Sequence, residues 1–146
     1  MENREIEILL VEDSVDDAEL TIRALRNNNV TTNIVHLMDG AAALDFLFGT
    51  GKYMGRNIEN RPKVILLDLK MPKVSGLEVL EKLRLDEHLK KIPVVVLTSS
   101  KEHPDVERAY QLGANSYIVK PVDFESFCKI VSELGIYWLL YNQPSS

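Results

Sequence analysis

One cysteine, Cys128, is all the chain carries, so no internal disulfide can form and the fold must hold by packing. Long apolar runs are missing too. The longest hold a handful of residues, against the roughly 18 needed to cross a bilayer. The start, MENREIEILLVEDS, has acidic residues where a secretory leader needs positive charge, so a cytoplasmic location is expected. Basic excess is the third absence: 17 Lys+Arg face 22 Asp+Glu, a formal net charge of −5. Without a Lys/Arg cluster there is no electrostatic footprint for phosphate backbones, so neither direct nucleic-acid binding nor membrane insertion is expected. His36, His88 and His103 lie far apart, with no metal-ligand spacing.

What the chain does have is core. Of its 146 residues 45% are hydrophobic. A chain of this length buries roughly 68–70% of its unfolded surface, enough for one domain. Five short apolar runs recur, at 6–11, 33–37, 64–67, 94–97 and 117–119, most of them without polar alternation. Runs of that kind suit strands buried on both faces. Between them, spacings such as Ala18, Ile22 and Leu25, or Leu77, Leu80 and Leu83, predict helices. A helix is expected from near Pro104 to a stop at Gly113, and a last one from the N-cap Asp123 toward Tyr141. Strictly alternating elements imply an α/β fold, a single (βα)5 domain with a parallel sheet covered by helices.

The segment 49–62, GTGKYMGRNIENRP, breaks the pattern and reads as an extended surface loop. Its Gly51 and Lys52 do not make a phosphate-binding loop, because Tyr53 stands in place of Ser/Thr and Phe46 in place of the first glycine. Met38, Met54 and Met71 read as packing residues, and Cys128, beside Phe124 and Phe127, as a small buried hydrophobe.

Polar residues recur where the strands end: Glu12 and Asp13, Asp68, Thr98 and Ser99, Lys120 and Pro121. In open parallel sheets that edge is where sites form. A strand order of 2-1-3-4-5 would make the first and third strands neighbours and bring Glu12, Asp13 and Asp68 into one pocket. Three like charges raise one another's pKa unless a cation neutralises them. An all-oxygen pocket with neither Cys nor His favours Mg2+. Asp68 is positioned to act as a carboxylate nucleophile forming an aspartyl phosphate, Lys120 to neutralise phosphoryl charge and Thr98 to donate to a phosphoryl oxygen.

The motifs VEDS (11–14), LLDLKMPKVSG (66–76), VLTSS (96–100) and YIVKP (117–121) resemble the receiver domain of two-component response regulators, in order and spacing. The resemblance implies a flavodoxin-like doubly wound fold, with residues 1–146 as one receiver domain, a core over about 6–141 and no effector domain. It implies that Asp68 accepts a phosphoryl group from a histidine kinase, with Mg2+ held by Asp13, Asp68, the backbone carbonyl of Lys70 and, through water, Glu12. Glu12 stands where an Asp is commoner. Thr98 and Tyr117 would form the switch pair, Lys120 would bind the phosphoryl group, and the Lys120–Pro121 peptide would be cis. The chain would catalyse only its own phosphorylation and dephosphorylation, with Lys70 and Ser100 flanking the approach of hydrolytic water. The 49–62 loop and the ending near Trp138 are most similar to stand-alone receivers associated with bacterial phytochrome kinases, which makes a phytochrome-type sensor kinase the expected partner.

Two other readings of these residues stay open at this stage. A flavodoxin-like cofactor protein shares the architecture, but acids 12, 13, 16 and 17 would repel a flavin phosphate. An aspartate-nucleophile phosphatase needs a second acid two residues after Asp68, where this chain has Lys70. The last helix carries Phe124, Phe127, Val131, Leu134 and Trp138 on one stripe, with Ile130, Ile136, Tyr137, Leu139, Leu140 and Tyr141 partly outside it. That excess predicts a homodimer through the C-terminal helix region.

Overall fold

The computed structural model describes residues 8–30, 33–120 and 123–134. Five strands, β1 (Ile8–Val11), β2 (Ile34–Leu37), β3 (Val64–Leu67), β4 (Val94–Thr98) and β5 (Ser116–Val119), form one sheet. All its pairings are parallel, in the order β2-β1-β3-β4-β5. Five helices alternate with them: α1 (Val15–Asn27), α2 (Gly40–Phe48), α3 (Gly76–Leu85), α4 (His103–Gln111) and α5 (Phe124–Leu134). Within the 49–62 loop, Gly51–Tyr53 forms a single 3-10 turn.

The unalternated runs have a plain cause, because successive strand residues face opposite sides of the sheet and both sides are covered. Leu9, Val11, Ile65, Leu67, Val94 and Val96 pack with Ala43, Phe46, Leu47, Val79, Leu80, Leu83 and Ala109. Ile8, Leu10, Val64, Leu66, Val95 and Leu97 pack on the other side with Ala18, Ala24, Leu25, Phe127 and Val131. Burying both sides fixes each strand's register, which in turn fixes where each strand ends.

Local signals set the helix boundaries. The Ser14 side chain accepts from the Asp17 N–H and caps α1. Asp39 caps α2, and Ser75 with Glu78 makes a capping box on α3. The Asp123 carboxylate accepts from the Ser126 N–H at 2.8 Å at the start of α5. Pro104 sits in the first turn of α4, and Gly113 follows that helix at φ +85°. Phe124, Cys128, Ile130 and Leu134 are partly buried against the same core as Phe127 and Val131. The Lys120–Pro121 peptide and the stretch from Ile136 through Trp138 to Tyr141 lie outside the described residues. Of the three methionines expected to pack, Met71 does, at 8% exposure, whereas Met38 and Met54 are 45% and 79% exposed. Met54 belongs to the long loop and Met38 precedes the α2 cap, where no second layer covers them.

Candidate functional site

The site lies at the edge of the sheet where the strands end. The Asp68 N–H donates to the Val11 carbonyl at 3.0 Å, and the Glu12 N–H to the Leu37 carbonyl at 3.0 Å, so the sheet ladder itself aims both residues. Glu12 and Asp68 are buried, at 1% and 4% exposure, and Asp13 is open to solvent. One carboxylate oxygen from each of the three lies within 4.8 Å of the others. Behind them, α3 starts so close to the strand end that a methyl group on Gly76 would overlap the Asp68 carbonyl oxygen.

Lys120 closes the pocket from β5. Its N–H donates to the Thr98 carbonyl at 2.8 Å. Its ammonium lies 2.7 Å from Asp17 Oδ2, 2.9 Å from Glu12 Oε1 and 3.3 Å from Asp68 Oδ2. Burial works to lower the Lys120 pKa, but hydrogen bonds to Asp17 and Glu12 and the charge of Asp68 outweigh it and hold the ammonium above its ordinary value. Glu12 goes the other way. Burial, with the nearby Asp68 charge adding to it, pushes its carboxyl up to about 7, against the opposing hydrogen bonds from Lys120 and the Ser14 N–H.

The remaining candidate residues cluster between β4, β5 and α4. Thr98 is fully buried and its hydroxyl accepts from the Ser100 N–H at 3.3 Å. The Tyr117 hydroxyl donates to the Ser100 carbonyl at 2.8 Å, and its ring lies 6.4 Å from that of Tyr110. The Lys70 N–H donates to Asp68 Oδ1 at 3.0 Å, while its ammonium is 3.3 Å from Asp105 Oδ2 on α4. Glu12, Asp13, Asp68, Lys70, Thr98 and Lys120 stand at this one edge, and Tyr117, within β5, reaches it through Ser100. Two participants escaped the reading of the chain, Asp17 and Asp105. For Asp17 a signal existed, since it closes the acidic run 12, 13, 16 and 17 that follows β1.

The family model described as the response regulator receiver domain matches residues 8–132. The chain belongs to that family, a class of two-component signalling proteins. It is 45% identical over 136 residues to "Probable methanogenesis regulatory protein FilR2" of Methanothrix harundinacea, covering 93% of this chain and 85% of the relative. It is 41% identical over 134 residues to "Response regulator Rcp1" of Synechocystis, covering 90% and 88%. The Mn(2+)-bound form of Rcp1 superposes with a TM-score of 0.82 at 38% identity, covering 97% of this chain and 99% of that one. A bacteriophytochrome response regulator, RtBRR, gives a TM-score of 0.78 at 48% identity, covering 96% and 84%. No helix among the described residues is long and apolar enough to cross a membrane.

Proposed function

We propose that this receiver accepts a phosphoryl group on Asp68 from the phosphohistidine of a sensor histidine kinase, in a reaction that depends on Mg2+. The observation that carries the reading is the meeting of the Glu12, Asp13 and Asp68 carboxylates within 4.8 Å of one another. A lysine ammonium stands 3.3 Å from the nucleophile.

The donor set suits a hard divalent ion. It is all oxygen, it carries an excess of negative charge, and Asp13 leaves one side open to solvent. Asp13, Asp68 and the Lys70 carbonyl would hold Mg2+ directly and Glu12 through water. When bound, the ion supplies charge neutralisation at the phosphoryl oxygens. In the transfer, an Asp68 oxygen forms the new P–O bond as the P–N bond to histidine breaks. The bonding pair leaves with the imidazole, which takes up a proton. Lys120 shifts from its carboxylates to the phosphoryl oxygens, and Thr98 donates its hydroxyl to another. Tyr117 follows Thr98 as the second half of the switch. Hydrolysis by water returns the Asp68 carboxylate and inorganic phosphate.

The likeness to a bacteriophytochrome response regulator favours a phytochrome-type kinase as partner, and with it a cytoplasmic site of action. A homodimer through the C-terminal helix region belongs to the same reading, although the apolar side chains of α5 at 124–134 pack against the core. Sedimentation of the chain and of Leu139→Glu/Tyr141→Glu, with and without phosphate, tests that part. A concentration-dependent dimer lost in the variant supports it.

Mass spectrometry after incubation with acetyl phosphate tests the main reading. A single added phosphate is expected with Mg2+ and none with EDTA or in Asp68→Asn. A phosphate on Asp68→Asn would overturn the assignment.

A further inference from the structure

Lys70 is tied at both ends. Its backbone N–H holds Asp68 Oδ1, and its ammonium reaches Asp105 Oδ2 in the first turn of α4. The same Asp105 oxygen accepts from the Ser100 hydroxyl at 2.5 Å, and the Ser100 N–H and carbonyl engage Thr98 and Tyr117. The Glu102 side chain makes no capping hydrogen bond on α4, and the Glu102 N–H donates to Ser100 Oγ at 3.4 Å. The start of the helix is instead fastened through one carboxylate that holds the ammonium of the residue two beyond Asp68.

We infer that Asp105 is a positioning residue which competes with the aspartyl phosphate for the Lys70 ammonium, and so sets how long the phosphate lasts. The inference rests on Asp68 being the phosphoacceptor. Three features make the exchange possible. The Lys70 side chain is 56% exposed, and a lysine stem is flexible, so the ammonium is free to swing. An ion pair at such an exposure is weak. A phosphoryl group offers about two negative charges, against the single charge of Asp105. The Ser100 hydroxyl and the Lys70 ammonium both lie against a single Asp105 carboxylate oxygen.

In hydrolysis, a water oxygen forms a P–O bond while the bond to Asp68 breaks. The electron pair returns to the Asp68 carboxylate, and one water proton is released as inorganic phosphate forms. An ammonium lying against the phosphoryl group obstructs that approach. With Asp105 drawing Lys70 toward α4, the path stays open part of the time. When Lys70 does move, Asp105 keeps only Ser100, and the start of α4 is loosened.

The test is a double-mutant cycle on phosphate decay. Wild type, Asp105→Asn, Lys70→Ala and the double variant are labelled with acetyl phosphate and Mg2+, the donor is removed, and loss of phosphate is followed. Asp105→Asn should decay about two- to fivefold more slowly, the scale of an exposed ion pair. In the Lys70→Ala background it should have no effect, and Asp105→Glu should restore the wild-type rate. An unchanged rate in Asp105→Asn would overturn the inference. So would an equal change with and without Lys70, because a purely structural role for Asp105 does not need that ammonium. Absence of label on the wild-type chain would overturn the phosphoacceptor reading, and this inference with it.

Discussion

The Lys120 ammonium lies closer to Asp17, at 2.7 Å, than to the proposed phosphoacceptor Asp68, at 3.3 Å. Asp17 sits in the first turn of α1 with its side chain 41% exposed, whereas the other two carboxylates on this lysine are nearly dry. The three contacts are therefore unequal in consequence. Removing Asp17 takes away a solvated partner. Removing Lys120 strands two buried carboxylates.

Asp17→Asn is accordingly expected to cost less than about 1 kcal/mol of stability. Lys120→Met should cost about 2–4 kcal/mol at pH 8, because a buried charge left without its partner is expensive. The Lys120→Met cost should shrink at pH 5, where Glu12 takes up a proton. Urea denaturation at the two pH values measures both. Equal losses for the two substitutions would contradict this ranking.

Glu12 makes the pocket sensitive to pH. Its carboxyl is raised from 4.5 to about 7, so between these values the folded chain binds more protons than the unfolded one. Stability contributed by this group therefore falls as pH rises from 4.5 to 7, by about 3 kcal/mol at most. Glu12→Gln keeps the size and removes the titration. In EDTA, the urea midpoint of the wild-type chain should drop across that window relative to the variant, and parallel pH profiles would refute the assignment.

The fold was legible because its signals are local. The runs at 64–67 and 94–97 carry no polar alternation, and both strands are buried on both sides. The Asp123 cap and the Gly113 stop were each legible within one turn of sequence; the Ser14 cap was not read. The carboxylate cluster followed once the strand order was assumed. What stayed hidden depends on side-chain reach. The Lys120–Asp17 contact spans 103 residues. Asp105 lies near Lys70 only because the β3–α3 loop and the first turn of α4 come together in the fold. Met54, at 79% exposure, shows the converse: its glycine-rich neighbours already marked a surface loop, and its apolar side chain alone suggested packing.

Gly76 holds α3 against the site. A Cβ there would overlap the Asp68 carbonyl oxygen and crowd the Leu69 Cα at 2.7 Å, both backbone atoms that cannot swing aside. Gly76→Ala should therefore move the loop between β3 and α3 and cost about 1–3 kcal/mol. It should also slow labelling of Asp68 by acetyl phosphate, even where the chain remains folded. A wild-type labelling rate in a folded Gly76→Ala chain would show that the contact relaxes elsewhere.

The far end of α4 is held by Arg84. Its guanidinium donates to the carbonyls of Leu112 at 2.8 Å, Lys90 at 2.9 Å, and Ile92 and Gly113 at 3.0 Å. Burial lowers its pKa; a guanidinium stays protonated in proteins, so these are charge-assisted bonds. They pin the α4 exit and the β4 entry to α3. A helix fixed there and fastened at its start through Asp105 would respond to the site by movement of its N-terminal turn. Arg84→Ala leaves the four carbonyls without this donor and should cost about 2–3 kcal/mol. Arg84→Lys should recover less than half of that, because one ammonium cannot reproduce the planar fork. Urea midpoints with an unchanged slope would give both losses directly. Full recovery by lysine would mean that charge alone, and not the fork geometry, holds this junction.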